Sequence, residues 1–167
     1  MPVIAHRTSP TNIGLSLLAN LSAYDFGYVT TTQLIKRTEN TFSTLKKLDR
    51  FEGHFYNWYD TQNLRVLSPR YISTVDSGNL AGHLLTLRQG FLAIPNQRIV
   101  DPKTFRGLED TLRVTIDAIP VSETELRESL RLLYNSINTN DFRLTGLKDH
   151  LTTLLTQYRK IIFSAVN

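Results

Sequence analysis

The chain has 167 residues, 41% of them hydrophobic, with 19 Lys and Arg against 15 Asp and Glu and no cysteine. It is long enough for one domain with a core, too apolar for whole-chain disorder, and without thiols it excludes disulfides and cysteine-ligated zinc. The formal charge of +4 is scattered, and Lys46-Lys47 and Arg159-Lys160 read as solvated helix faces, so charge does not point to nucleic acid.

In chain order, "MPVIAHRTSP" lacks the apolar core of a signal peptide, and no apolar run approaches a membrane span. The first helix begins within about ten residues, as it would in an excised segment. Ser9 is placed to cap it, Pro10 suits its first position, and Leu17, Leu18, Leu21 and Tyr24 follow at helical spacing. Gly27 supplies the stop. This helix is apolar on more than one side, the pattern of an inner helix.

Thr30 and Gln33 form a capping box for a second helix. Its stripe of Leu34, Ile35, Phe42, Leu45 and Leu48 faces away from Lys36, Arg37, Glu39, Lys46 and Lys47, the pattern of an outer helix. A third helix, again of inner type, grows from "STVDSGN" and uses Leu80, Leu84, Leu85, Phe91 and Leu92. Asp101-Pro102 starts a fourth with Leu108, Leu112, Ile116 and Ile119. Ser122 and Glu125 box a fifth with Leu126, Leu130, Leu133 and Ile137, and Leu147 to Ile162 supply a sixth. Only "RVLSPRYIST" has β character, and Pro69 interrupts it. The predicted class is all-α, with at least five helices and no sheet of three strands. Alternating inner and outer helices suit a toroid of helical hairpins.

The segment "GHFYNWYDTQNLRVLSPRYISTVDSGN" stands apart, because connections between packed helices are usually much shorter. Aromatic faces stack on sugar rings or bases, while Asp, Asn and Ser fix orientation through directional hydrogen bonds. Backbone NH groups at a helix start favour a hydroxyl-rich or anionic ligand. Asn57, Trp58, Tyr59, Asp60, Ser73, Asp76, Ser77 and Asn79 are therefore the candidate ligand-binding residues. The competing structural reading has Phe55, Tyr56, Trp58 and Tyr59 plugging the end of the helix stack while Asp76 caps the third helix. Asp60 and Asp76 form a candidate glycosidase pair, whose separation the spacing leaves open. His6, His54, His83 and His150 lack metal-ligand spacing, no nucleotide motif surrounds "LAGHLL", and no cofactor or metal is expected.

"HRTSPTNIGLSLLANLSAYDFGY" followed by "GHFYNWYDTQNLRVLSPRYISTVDSGNLAGHLLTLRQG" resembles the glucoamylase-like domain of bacterial cyclic β-1,2-glucan synthases, strongly over residues 5–92 and weakly beyond. The resemblance implies an (α/α)6 barrel that closes linear β-1,2-glucan into a ring by retaining transglycosylation. It implies that loops leading into inner helices, "RTSPTN" and "NWYDT…STVDSGN" among them, line the sugar cleft. A complete barrel needs twice the six helices read here, so residues 1–167 are expected to form a single partial domain, about half of the toroid. The family's catalytic glutamates are placed further along the domain, so no catalytic residue is expected within this chain and the chain alone should be inactive. Implied partners are β-1,2-glucan and the remainder of a parent synthase in the bacterial inner membrane, with this segment soluble on the cytoplasmic side. Uncovered inner-helix residues such as Leu17, Leu84 and Leu85 would promote self-association. The alternative is a self-sufficient helical protein-interaction module without catalysis. Nucleic-acid binding is poorly supported, since the aromatics do not interleave with a basic stripe.

Overall fold

The computed structural model describes residues 4–98, 101–120, 122 and 124–137, with isolated positions at 152, 155, 156 and 159. Described helices are α1 (Pro10–Asp25), α2 (Thr31–Leu45), α3 (Thr74–Ala93), α4 (Pro102–Ala118) and α5 (Thr124–Ile137), with a 3-10 turn at Ile94–Asn96. Four two-residue strands accompany them: β1 (Arg7–Thr8), β2 (Arg50–Phe51), β3 (His54–Phe55) and β4 (Tyr59–Asp60). They form two separate antiparallel pairs, β1 with β4 and β2 with β3. The predicted all-α class and its first five helices are thus observed. The sixth, on Leu147 to Ile162, falls largely outside the described residues.

The termini follow the chemistry of their residues. Ser9 Oγ accepts the Asn12 NH, and Pro10, whose missing NH costs nothing in a first turn, opens α1. Thr30 and Gln33 satisfy each other's backbone NH reciprocally at the start of α2. Asp101 accepts from the Lys103 NH to cap α4. Between β2 and β3, Glu52 and Gly53 both have positive φ, which a two-residue turn matching the strand twist requires.

The chain divides into two compact units: Met1–Asp25 with Val29–Arg98, and Phe26–Tyr28 with Ile99–Asn167. In the first, Leu17, Leu21 and Tyr24 of α1 meet Leu87 of α3 and Leu34 of α2. Each such leucine contributes roughly 1.5–3 kcal/mol through burial. Two glycines, one per helix, bring α1 and α3 close. A Cβ at Gly14 would run into the His83 ring, and one at Gly90 would lie 2.5 Å from Leu21 Cδ2. A second cluster, Leu45, Leu48 and Tyr59, holds the long connector against the end of α2. In the second unit, Phe105, Leu112 and Ile116 of α4 pack on Leu130, Leu133 and Ile137 of α5. There Gly27 takes φ +80° beside the Lys103 carbonyl, where no larger residue fits.

The inner-type helices differ in how much of their apolar surface is covered within the first unit. Leu17 is fully buried, but Leu85 is 65% and Leu92 54% exposed. On α2, Leu34 and Leu45 are buried as expected, whereas Ile35 and Phe42 from the same predicted stripe remain substantially exposed.

Candidate functional site

The connector from Lys46 to Ser73 is anchored at Tyr59, whose side chain is completely buried against Leu45 and Leu48. Its hydroxyl accepts the Tyr56 NH at 2.8 Å and donates to the Asp49 carbonyl at 2.7 Å. Burial raises the phenol's pKa, which keeps that donated proton in place. Asp60 serves the backbone: its Oδ1 accepts the NH groups of Gln62 at 2.7 Å and Asn63 at 3.1 Å, closing a tight turn. Tyr59 and Asp60 thus shape the loop.

Pairing of β1 with β4 sets Arg7 opposite Asp60 and Thr8 opposite Tyr59. Strand alternation then places Arg7, Trp58 and Asp60 on one side of the ribbon and Thr8, Tyr59 and Thr61 on the other. The Arg7 guanidinium lies over the Trp58 ring, 5.0 Å from its centroid. Trp58 is half-buried and Arg7 exposed, so this stack borders solvent.

Behind Trp58 lies a continuous polar network. Asn57 is buried, and the amide orientation that satisfies every neighbour has its oxygen accepting from Trp58 Nε1 at 2.6 Å and Tyr71 Oη at 2.5 Å. Its nitrogen then donates to Asp76 Oδ2 at 2.7 Å. Asp76 Oδ1 accepts the Thr11 hydroxyl at 2.6 Å, and Thr11 Oγ1 in turn accepts from Asn79 Nδ2 at 3.1 Å. Thr11 lies in the first turn of α1 and Asp76 in the first turn of α3. Capping of α3 falls to Ser73, whose Oγ accepts the Asp76 NH at 3.1 Å, and not to Asp76 itself. Ser77 begins the helix ladder by donating its NH to the Ser73 carbonyl.

Asp76 sits where two helix starts meet. Partial burial pushes its pKa up, but donors from the Thr11 hydroxyl, Ser73, the Thr11 backbone and Ser9 outweigh it, and the net shift is downward. The carboxylate is therefore held ionised and supplies the negative charge that both helix N-termini favour. An anionic ligand would meet that charge, whereas a hydroxyl-rich neutral one would not be repelled. A multiply bonded Asp76 whose pKa is lowered is also unsuited to act as a general acid. Among the described residues, no group of three or more His, Asp or Glu converges as a metal site would require.

Of the predicted binding residues, Asn57, Trp58, Ser73, Asp76 and Asn79 belong to one connected array through the contacts above. Tyr59 and Asp60 support it from the loop, and Ser77 adjoins it on α3. Arg7, Thr11 and Tyr71 were not singled out from sequence. Arg7 and Thr11 both lie within "RTSPTN", a cleft-lining motif by resemblance, but nothing local announces that Thr11 bonds a residue 65 positions away.

No family model matches the chain. Over 86 residues, 52% of its length, it is 50% identical to the cyclic beta-(1,2)-glucan synthase NdvB of Rhizobium meliloti (strain 1021). That half of the chain is homologous to a segment of a cyclic β-1,2-glucan synthase. The aligned part amounts to 3% of NdvB, so the chain spans only a small piece of that protein. No described helix is long and apolar enough to cross a membrane.

Proposed function

We propose that the chain contributes one wall of a glucan-binding cleft in a cyclic β-1,2-glucan synthase, within a domain that closes linear β-1,2-glucan into a ring by transglycosylation. The observation carrying this reading is the array itself. Trp58 stands beside a network of ionised Asp76, Thr11, Asn79 and Asn57 where two helix starts meet. A pyranose offers an apolar ring face and a rim of hydroxyls, and its site needs a platform and oriented acceptors together.

In this reading the chain is about half of an (α/α)6 barrel, with α1 and α3 inside and α2 outside. Its partners are the glucan and the remainder of the parent synthase, which covers exposed side chains such as Leu85 and Leu92; the parent sits in the inner membrane with this segment on the cytoplasmic side. Left uncovered, that surface promotes self-association. The helical interaction module is the second reading, favoured by the same exposed leucines and by nothing in the polar array. Neither reading gives the isolated chain turnover, since acid and nucleophile must both flank the scissile bond.

Saturation-transfer NMR with linear β-1,2-glucan oligosaccharides tests the proposal. Transfer to the sugar ring protons, reduced in Trp58→Ala, is expected. Transfer that Trp58→Ala and Asn79→Ala leave intact would refute the wall, and turnover abolished by Asp60→Asn or Asp76→Asn would relocate the catalytic pair into this chain.

A further inference from the structure

We infer that the first unit carries a second carbohydrate site, a groove on the far side of the β1–β4 ribbon from Trp58 that accepts one neutral pyranose ring. The groove encloses about 310 Å³ between the end of α2, the start of α1 and the turn after β4. That is the lower end of ligand-site volumes, which run from roughly 300 to 1,000 Å³, and it suits one ring better than an extended chain.

Its floor is aliphatic, formed by Ile13, Leu45, Leu48 and Leu64, and its rim is polar, formed by Thr8, Asn40, Thr41, Thr44 and Thr61. No Asp, Glu, Lys, Arg or His lines it, so nothing there compensates a charged ligand. Thr41 and Thr44 donate their hydroxyl protons to the carbonyls of Arg37 and Asn40 at 3.0 and 3.1 Å, which leaves oxygen lone pairs as acceptors. The side chains of Thr8, Thr61 and Asn40 make no hydrogen bond among the described residues, which leaves donors uncommitted. The groove thus presents a neutral aliphatic floor ringed by donors and acceptors. An equatorially substituted sugar has that complement, with C–H groups on its face and hydroxyls at its edge. A purely apolar ligand would leave the Thr8, Asn40 and Thr61 side chains without partners, and an ion would find no counter-charge.

The site is distinct from the Trp58 array. Thr8 and Thr61 flank buried Tyr59 on one side of the ribbon, while Arg7 and Trp58 stack on the other. It does not rest on the cleft-wall reading, and the two can fail separately.

The test uses the whole 167-residue chain, ligand-observed NMR, and two probes: the β-1,2-linked and the β-1,4-linked glucose disaccharide. Thr44→Val and Thr61→Val preserve shape and remove one hydroxyl each, and circular dichroism checks that the fold persists. Each substitution is expected to weaken disaccharide binding roughly two- to tenfold, the range for one neutral hydrogen bond. In Trp58→Ala, the component sensitive to these threonines is expected to remain. Preference for the β-1,2 probe would identify the ligand as the same glucan, and equal binding of both would identify a site for neutral pyranoses in general. The inference is overturned if neither probe binds, or if binding survives both threonine substitutions unchanged. Binding abolished by Trp58→Ala alone and untouched by the threonines would overturn the groove and leave the cleft wall standing.

Discussion

Asp76→Asn is the most informative single substitution, because the network leaves its replacement no good orientation. Wild-type Asp76 accepts from Thr11 on one oxygen and from Asn57 on the other, and Asn57 in turn accepts from Trp58 and Tyr71. An asparagine at 76 must turn its NH₂ towards Thr11 or towards Asn57. Facing Asn57 it meets another NH₂. If Asn57 rotates to relieve this, its own NH₂ meets Trp58 Nε1, a group that can only donate. One part-buried donor is orphaned in either arrangement, at about 1–3 kcal/mol. Loss of the charge at two helix starts adds about 0.3–1 kcal/mol. A total near 2 kcal/mol corresponds to a fall in Tm of roughly 8–16 °C for a unit of this size. The deficit also has a pH signature. The folded-state pKa of Asp76 is depressed below its ordinary 3.8, so its contribution is complete above that value and is lost as pH falls through the folded pKa. Thermal and urea denaturation followed by Trp58 fluorescence should show a large gap between wild type and variant at pH 7 that narrows below pH 3.8. Equal stabilities at pH 7, or a gap indifferent to acid, would refute the ionised hub.

Tyr59→Phe should cost about 1–3 kcal/mol in urea denaturation, since the Tyr56 NH and the Asp49 carbonyl both lose their partner. Ser73→Ala should lower stability by about 1 kcal/mol in urea denaturation, and Ser73→Thr should recover most of it by restoring a cap hydroxyl. Gly14→Ala should cost about 1–3 kcal/mol, because its methyl group drives the His83 ring out of the α1–α3 contact. Turnover assays with linear β-1,2-glucan should detect neither hydrolysis nor cyclisation by the isolated chain.

Much of this was legible in the sequence where the cause is local. Ser9-Pro10, Thr30 with Gln33, and Asp101-Pro102 start helices because each residue meets its own requirement within one turn. Period-3.6 patterning likewise located the buried leucines of α4 and α5. Burial on α2 and α3 was less legible: Ile35 and Leu85 carry the right pattern, but exposure depends on which faces find a neighbour. The short β pairs escaped notice because two-residue strands carry no periodicity. At the candidate site, composition drew attention to Asn57, Trp58 and Asp76, yet their roles were not readable. Asp76 looked like a cap, but Ser73 caps and Asp76 reaches across to Thr11. Thr11, Arg7 and Tyr71 join through contacts distant in sequence, and single-residue chemistry does not foretell these.

The Thr11–Asp76 bond and the β1–β4 ribbon have a consequence for the order in which this region assembles. Residues 7 and 60, and residues 11 and 76, can meet only after the whole of α2 and the connector have been brought round. Closing loops of that length is entropically costly before the contacts repay it. Docking of α1 on α3 through Leu17, Leu21 and Leu87 closes a comparable loop with apolar burial to offset the cost, so the polar array is expected to form once that contact has brought the two helix starts together. Once formed it acts as a latch on that docking, so hydrogen exchange at the Trp58 indole and at the first amides of α3 should open together. A disturbance at Arg7 or Thr8 would then be felt at the start of a helix more than sixty residues downstream.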